Sequence, residues 1–203
     1  MKKICKCVLL CAGICGCVWG VGILKDREAL NENLIRLHVV AASDSEEDQA
    51  VKLQVRDAVI DSLSEAMAEV RDVDQAKVYI RENLPKIEAA ANACLELLGY
   101  EGNAVVTLKE EVFATRYYDT FTLPAGVYEA LRITIGPGAG KNWWCVVFPT
   151  LCLPATSEGF EHVAAGAGFS DSLTGALEGK SEYEIRFFLL DLLGKWQARG
   201  FAE

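Results

Sequence analysis

Histidine is nearly missing from this chain: His38 and His162 are the two in 203 residues. There is no His-Glu-x-x-His, no calcium-loop pattern and, beyond an apolar N-terminal stretch, no Cys-x-x-Cys. Without those spacings the sequence offers no metal site and calls for no cofactor. Basic residues are scarce as well. Past Leu24 the chain holds 29 acidic against 17 basic residues, twelve net negative charges. That balance repels nucleic acid and anionic lipid headgroups, and it excludes nucleic-acid binding. A nucleotide cradle is lacking too. The run Gly136-Pro137-Gly138-Ala139-Gly140-Lys141 resembles a phosphate loop, but the first glycine of that motif falls on Ile135 and its hydroxyl on Asn142. Paired carboxylates such as Glu46-Glu47-Asp48 and Glu110-Glu111 read as helix starts or solvated faces, not as a glycosidase pair.

What is present begins at the N-terminus. Lysines at 2, 3 and 6 precede 18 uncharged residues, Cys7 to Leu24, a length at the lower edge of a bilayer span and also suited to a signal peptide. The flanking charges place the remainder outside the cytoplasm. Residues 1–24 are therefore expected to be a signal peptide or a signal-anchor, with cleavage and retention both open. Residues 25–203 are expected to form one exported domain. If the segment is uncleaved, residues 7–24 contact the membrane. Three cysteines remain downstream, Cys94, Cys145 and Cys152, an odd number that suits one disulfide and one sheltered thiol.

Alternation over Leu34–Ala42 predicts a half-buried strand with Arg36 and His38 on its polar face. Asp44 or Ser45 then caps a helix running to about Val70. Asp72 or Asp74 caps a second helix, which Pro85 is expected to interrupt before a third with Ile87, Ala91, Cys94, Leu95 and Leu98 on one stripe. Strands follow at Ala104–Phe113, Val127–Ile135 and Trp143–Phe148. Residues 136–142 read as the turn of a hairpin between the last two. Residues 155–180, rich in glycine and without period, read as a flexible loop. Ser181 to Glu184 forms a capping box for a last helix, with Ile185, Phe188, Leu189, Leu192 and Trp196 as its buried stripe. The expected fold is α+β: a largely antiparallel sheet of about four strands covered by helices, preceded by the hydrophobic export segment.

Candidate chemistry is thin. His38 with Ser43 or Cys145 is the one nucleophile–base arrangement worth naming, and it defines the alternative reading, an exported hydrolase. Arginine and aromatics on an open sheet face make a better case for partner binding, through Arg36, His38, Tyr128, Arg132, Trp143 and Trp144. Cys145 and Cys152 flank a turn at Phe148-Pro149; if it is a tight hairpin the two lie opposite each other and form the disulfide.

Two stretches resemble a known family. Leu34–Ser45 with Glu47–Ala50 and Val55–Val59 is similar to the opening of stage II sporulation protein R. Leu123-Pro124-Ala125-Gly126, Tyr128–Ile133 and Asn142-Trp143-Trp144-Cys145-Val146-Val147-Phe148-Pro149 with Leu151-Cys152 resemble its central signature, and Glu184–Phe187 resembles its C-terminal helix. The resemblance implies a non-enzymatic signal of endospore formation. Such a protein crosses the forespore membrane into the intermembrane space and activates a membrane-embedded aspartic protease that processes the sigma-E precursor.

Overall fold

A computed structural model describes residues 2–149, 160 and 164–202, with side chains described for 10–149, 160 and 164–201. The chain opens with helix α1 (Lys2–Glu32), which extends the apolar N-terminal run into the folded body. Among the described residues no helix is long and apolar enough to cross a membrane. Strand β1 (Ile35–Val40) follows, then α2 (Glu46–Met67) and α3 (Val73–Leu97). The remaining strands are β2 (Ala104–Phe113), the short pair β3 (Arg116–Tyr117) and β4 (Thr122–Leu123), β5 (Gly126–Ile135) and β6 (Asn142–Phe148). Helices α4 (Asp171–Leu177) and α5 (Glu184–Ala202) complete the described chain, joined by a 3-10 turn over Ser181–Tyr183.

Four strands form the main sheet in the order β2-β5-β1-β6. The expectation of an α+β fold with about four strands holds, but the sheet is mixed. β1 runs parallel to β5, with Leu37 opposite Leu131 and His38 opposite Arg132. It runs antiparallel to β6, with Leu37 opposite Cys145 and His38 opposite Trp144. The expected hairpin between β5 and β6 is therefore absent, because β1 lies between them. All six residues of β1 are buried, which only a strand paired on both edges and covered on both faces achieves.

The glycine-rich run 136–141 thus carries the chain across the end of β1. Ala139 N–H donates to Ala42 O (3.1 Å) and Gly140 N–H to Ala41 O (2.9 Å). Gly140 is required by close approach: a Cβ there would overlap the Ser43 carbonyl. Asp44 accepts from Lys141 N–H at 2.7 Å, so Ser45 is left to cap α2, accepting from Asp48 N–H.

Alternation places the odd residues of β1 and β5 against α2 and α3. Leu37, Val39, Leu131, Ile133 and Val147 meet Val55, Leu63, Ile80, Ile87 and Leu95 there. Helix α3 is continuous through Pro85, contrary to the predicted break. Proline removes one backbone hydrogen bond, but Ala76 and Ile80 before it and Ile87, Ala91 and Leu95 after it are buried in the same core. Burial of that many apolar groups, at about 1.5–3 kcal/mol for each large one, outweighs the lost bond.

The even residues face a second core, where Leu34, Phe113, Tyr128, Ala130 and Val146 pack with Leu30 of α1, Phe160, Leu173 and Leu177 of α4, and Leu190 of α5. Two expectations fail here. The stretch 164–180 is not a flexible loop: Ser170 caps α4, and Leu173, Ala176 and Leu177 are buried at i, i+3 and i+4. Residues 155–159 and 161–163 of that stretch, and Cys152, lie outside the described residues. The capping box also does not form, since Lys180 precedes the 3-10 turn with no side-chain cap.

Helix α5 turns four residues of its predicted stripe outward, Ile185, Phe188, Leu192 and Trp196, while Leu189 packs against the second core as expected. Its inner side carries Leu190 and Gly194, and a Cβ on Gly194 would overlap the Ala125 carbonyl. Asp191 fixes the contact, accepting from Thr115 Oγ1 (2.5 Å) and Ala125 N–H (2.9 Å). Its carboxyl is buried, which raises its pKa. The hydrogen bonds from Lys195, Thr115 and Ala125 outweigh that and hold it below the usual range.

Candidate functional site

The even positions of β1 place Arg36 and His38 on the second face, and neighbouring strands bring partners by register. Arg36 is fully buried. Its Cζ lies 4.3 Å from the Phe113 ring centroid and 5.2 Å from that of Tyr128, and its Nη2 donates to Tyr118 Oη at 2.8 Å. Its Nε and Nη1 have no hydrogen-bond partner among the described residues. Aromatic faces stand where a carboxylate would be expected, and desolvated cation–π contacts are worth about 2 kcal/mol or more each. That is small against the cost of burying an unpaired charge. Arg27 of α1 adds a second guanidinium 5.6 Å from the Tyr128 ring, with Nη2 donating to Gln197 at 3.0 Å. Tyr128 donates to Pro124 O at 2.8 Å, and burial pushes its phenol pKa up.

One turn of the pleat further on, His38 Nδ1 lies 2.7 Å from Glu111 Oε2, and Arg132 Nη1 donates to Glu111 Oε1 at 3.0 Å. An ionised carboxylate only accepts, so Nδ1 carries the hydrogen. Burial of Glu111 raises its pKa, but the hydrogen bonds and charges of His38 and Arg132 prevail and hold it below the usual carboxylate range. The imidazole stacks on Trp144 with centroids 3.8 Å apart, and Arg116 of β3 lies 4.4 Å from the Trp144 centroid. On the opposite face Arg56 of α2 covers Trp143 at 4.3 Å.

The structure gathers five of the six predicted partner-binding residues on this second face, but the face is not open as expected. Arg36, His38 and Tyr128 are buried beneath α1, α4, α5 and the β3–β4 pair. Arg132 and Trp144 keep partial exposure at its rim, and Trp143 keeps it on the other face. Sequence reasoning missed Arg27, Arg116, Tyr118 and Glu111, and it placed Glu111 on a solvated face whereas it is 8% exposed. The available signal was its period-2 relation to Phe113.

The hydrolase constellation does not assemble. Ser43 lies beyond the end of β1, five residues and on the order of 15 Å from His38 at strand rise, and it donates to Asp48. Cys145 belongs to the first core and faces away from His38. It is disulfide-bonded, whereas Cys94 is a free thiol whose pKa is raised chiefly by burial. The Phe148–Pro149 peptide is cis. The described residues hold no group of three or more side chains suited to a metal.

Fold and site define an α+β domain with two cores, one of them built around buried cations, aromatics and the Glu111 carboxylate. The family model for stage II sporulation protein R matches residues 31–158. Stage II sporulation protein R of Bacillus subtilis (strain 168) is 36% identical over 165 residues, covering 76% of this chain and 74% of that protein. No solved structure matches. The chain belongs to the stage II sporulation protein R family, and its role lies in sporulation.

Proposed function

We propose that this protein is an exported signal that activates a membrane-embedded aspartic protease, which then removes the pro-segment of the sigma-E precursor in the neighbouring compartment. Membership of the stage II sporulation protein R family is the observation that carries this reading. The site geometry is compatible with it, because His38 is joined to Glu111 and to neither Ser43 nor Cys145. In this reading residues 7–24 direct the domain across the forespore membrane into the intermembrane space and hold it at the membrane if they are retained. The protease contact is made at the partly exposed rim by Arg132 and Trp144, with Trp143 joining from the other face of the edge strand β6, while Arg36, His38 and Tyr128 fix the shape of that rim from below.

A variant lacking residues 1–24, kept in the forespore cytoplasm, is expected to leave the sigma precursor unprocessed. Processing by that variant at the wild-type level would refute export as the basis of signalling. Arg132→Ala combined with Trp144→Ala is expected to weaken activation while near-ultraviolet circular dichroism still reports a folded domain.

A further inference from the structure

Helix α5 carries apolar residues on both its inner and its outer side, with Arg186, Asp191, Lys195 and Arg199 on the same helix. Leu190 and Gly194 are buried inward, while Ile185, Phe188, Leu192 and Trp196 are 69%, 62%, 51% and 75% exposed. Those four lie at i, i+3, i+7 and i+11 and form one continuous outward stripe. A soluble surface helix keeps a polar outer face; an outward apolar stripe on a helix whose inner side is also apolar suits a second apolar surface such as lipid. A second exposed stripe runs along α1 through Leu10, Ile14, Val18 and Val21. The two meet, since Leu24 of α1 and Trp196 of α5 line the same shallow depression together with Leu193.

Charge separates along the same boundary. Helix α1 carries five basic and three acidic residues and α5 three and two, both net cationic. The rest of the chain therefore holds twelve net negative charges within a total of −9. The charge of the whole chain repels an anionic surface, but these two helices do not. Trp196 is flanked by Lys195 and Arg199, both exposed, and an aromatic between cations on an apolar stripe suits the boundary between headgroups and acyl chains.

We propose that the outward face of α5 lies on a lipid bilayer beside the apolar half of α1, so that the domain is held flat against the membrane and not tethered by α1 alone. This rests on the reading that residues 7–24 contact the membrane. The contact also fixes orientation: Gly194 of α5 abuts Ala125, the residue that leads into β5, so docking α5 on lipid sets the height and tilt of the sheet above the surface.

The test uses the full chain bound to vesicles of phosphatidylcholine with one third phosphatidylglycerol, their acyl chains brominated. A Trp19→Phe background removes the tryptophan of α1, and adding Trp196→Phe isolates the Trp196 signal by difference. At the ~5–10 Å depth of an interfacial helix, bromine is expected to quench that signal about two-fold. Vesicle-bound protein with an unquenched Trp196 overturns the proposal and leaves the α1 contact standing. Failure of the full chain to bind vesicles overturns the α1 contact and the proposal with it. Replacing Phe188, Leu192 and Trp196 together by serine removes only exposed side chains, so the fold is kept. Vesicle binding is then expected to fall several-fold without being abolished, and unchanged binding counts against the proposal. Quenching relieved by dilution of the protein at constant lipid would assign the stripe to a second copy of the chain, and would overturn it as well.

Discussion

Glu111→Gln is expected to destabilise the protein by about 2–3 kcal/mol at neutral pH. The native carboxylate accepts from His38 Nδ1 on one oxygen and from Arg132 on the other. Glutamine offers one acceptor and one NH2 group, so one of the two donors then faces another donor. Hydrogen bonds to a charged group contribute about 1.5–3 kcal/mol each, and removing one partner of a fully buried ion pair costs about 3–5 kcal/mol. The Arg132 side chain is 32% exposed and recovers part of its hydration, which sets the figure at the lower end. Lys109, 3.5 Å away and exposed, adds little. Urea unfolding followed by near-ultraviolet circular dichroism, which reports the Trp144 stack, measures the change. With a slope of ~1–3 kcal/mol/M the midpoint falls by about 0.7–3 M. The pH dependence gives an independent check. The folded pKa of Glu111 lies below its unfolded value, so its contribution is present above ~4.3, the ordinary glutamate pKa, and is lost as pH falls through the folded pKa. Wild type should therefore lose stability below about pH 5 more steeply than Glu111→Gln. A variant within ~0.5 kcal/mol of wild type, the usual range for an ordinary surface change, would refute the reasoning.

Two further perturbations address the fold. Gly140→Ala forces the crossover away from the Ser43 carbonyl and breaks the hydrogen bonds of residues 139 and 140 to the end of β1; a loss of about 2–3 kcal/mol is expected in the same urea assay, from two bonds at ~1 kcal/mol each plus strain. Peptide mapping of oxidised, exported protein is expected to show Cys94 reduced and Cys145 crosslinked to Cys152; a bridge to Cys94 would overturn that pairing.

Much of this architecture was legible because period-2 patterns report faces. The split of β5 into Leu131, Ile133 and Ile135 against Tyr128, Arg132 and Thr134 is the observed split between the two sides of the sheet. The Ser45 and Asp72 caps were readable for a similar local reason, since each accepts from a backbone N–H three residues on. Pairing was not readable. A strand's alternation carries no information about its neighbours, so nothing local announced that β1 would part β5 from β6, or that Glu111 would reach His38 across β5. Helix α5 misled for a different reason. With apolar residues on both its inner and its outer side, the stripe Ile185-Phe188-Leu189-Leu192-Trp196 reads as well as the inner one; Leu189 does pack inward, but the contact of Gly194 with Ala125 turns the other four out. The second core was hidden because its cover, α4, is built from small residues with one short apolar cluster.

The central claim is that this protein is the trigger for the protease, and co-expression tests it most directly. A host that does not sporulate would carry the membrane-embedded protease and the sigma precursor, with and without this full-length chain. The account predicts that cleaved sigma factor accumulates only when all three proteins are present. Cleavage at the same rate without this protein, or none with it when all three are present at normal levels, would contradict the account.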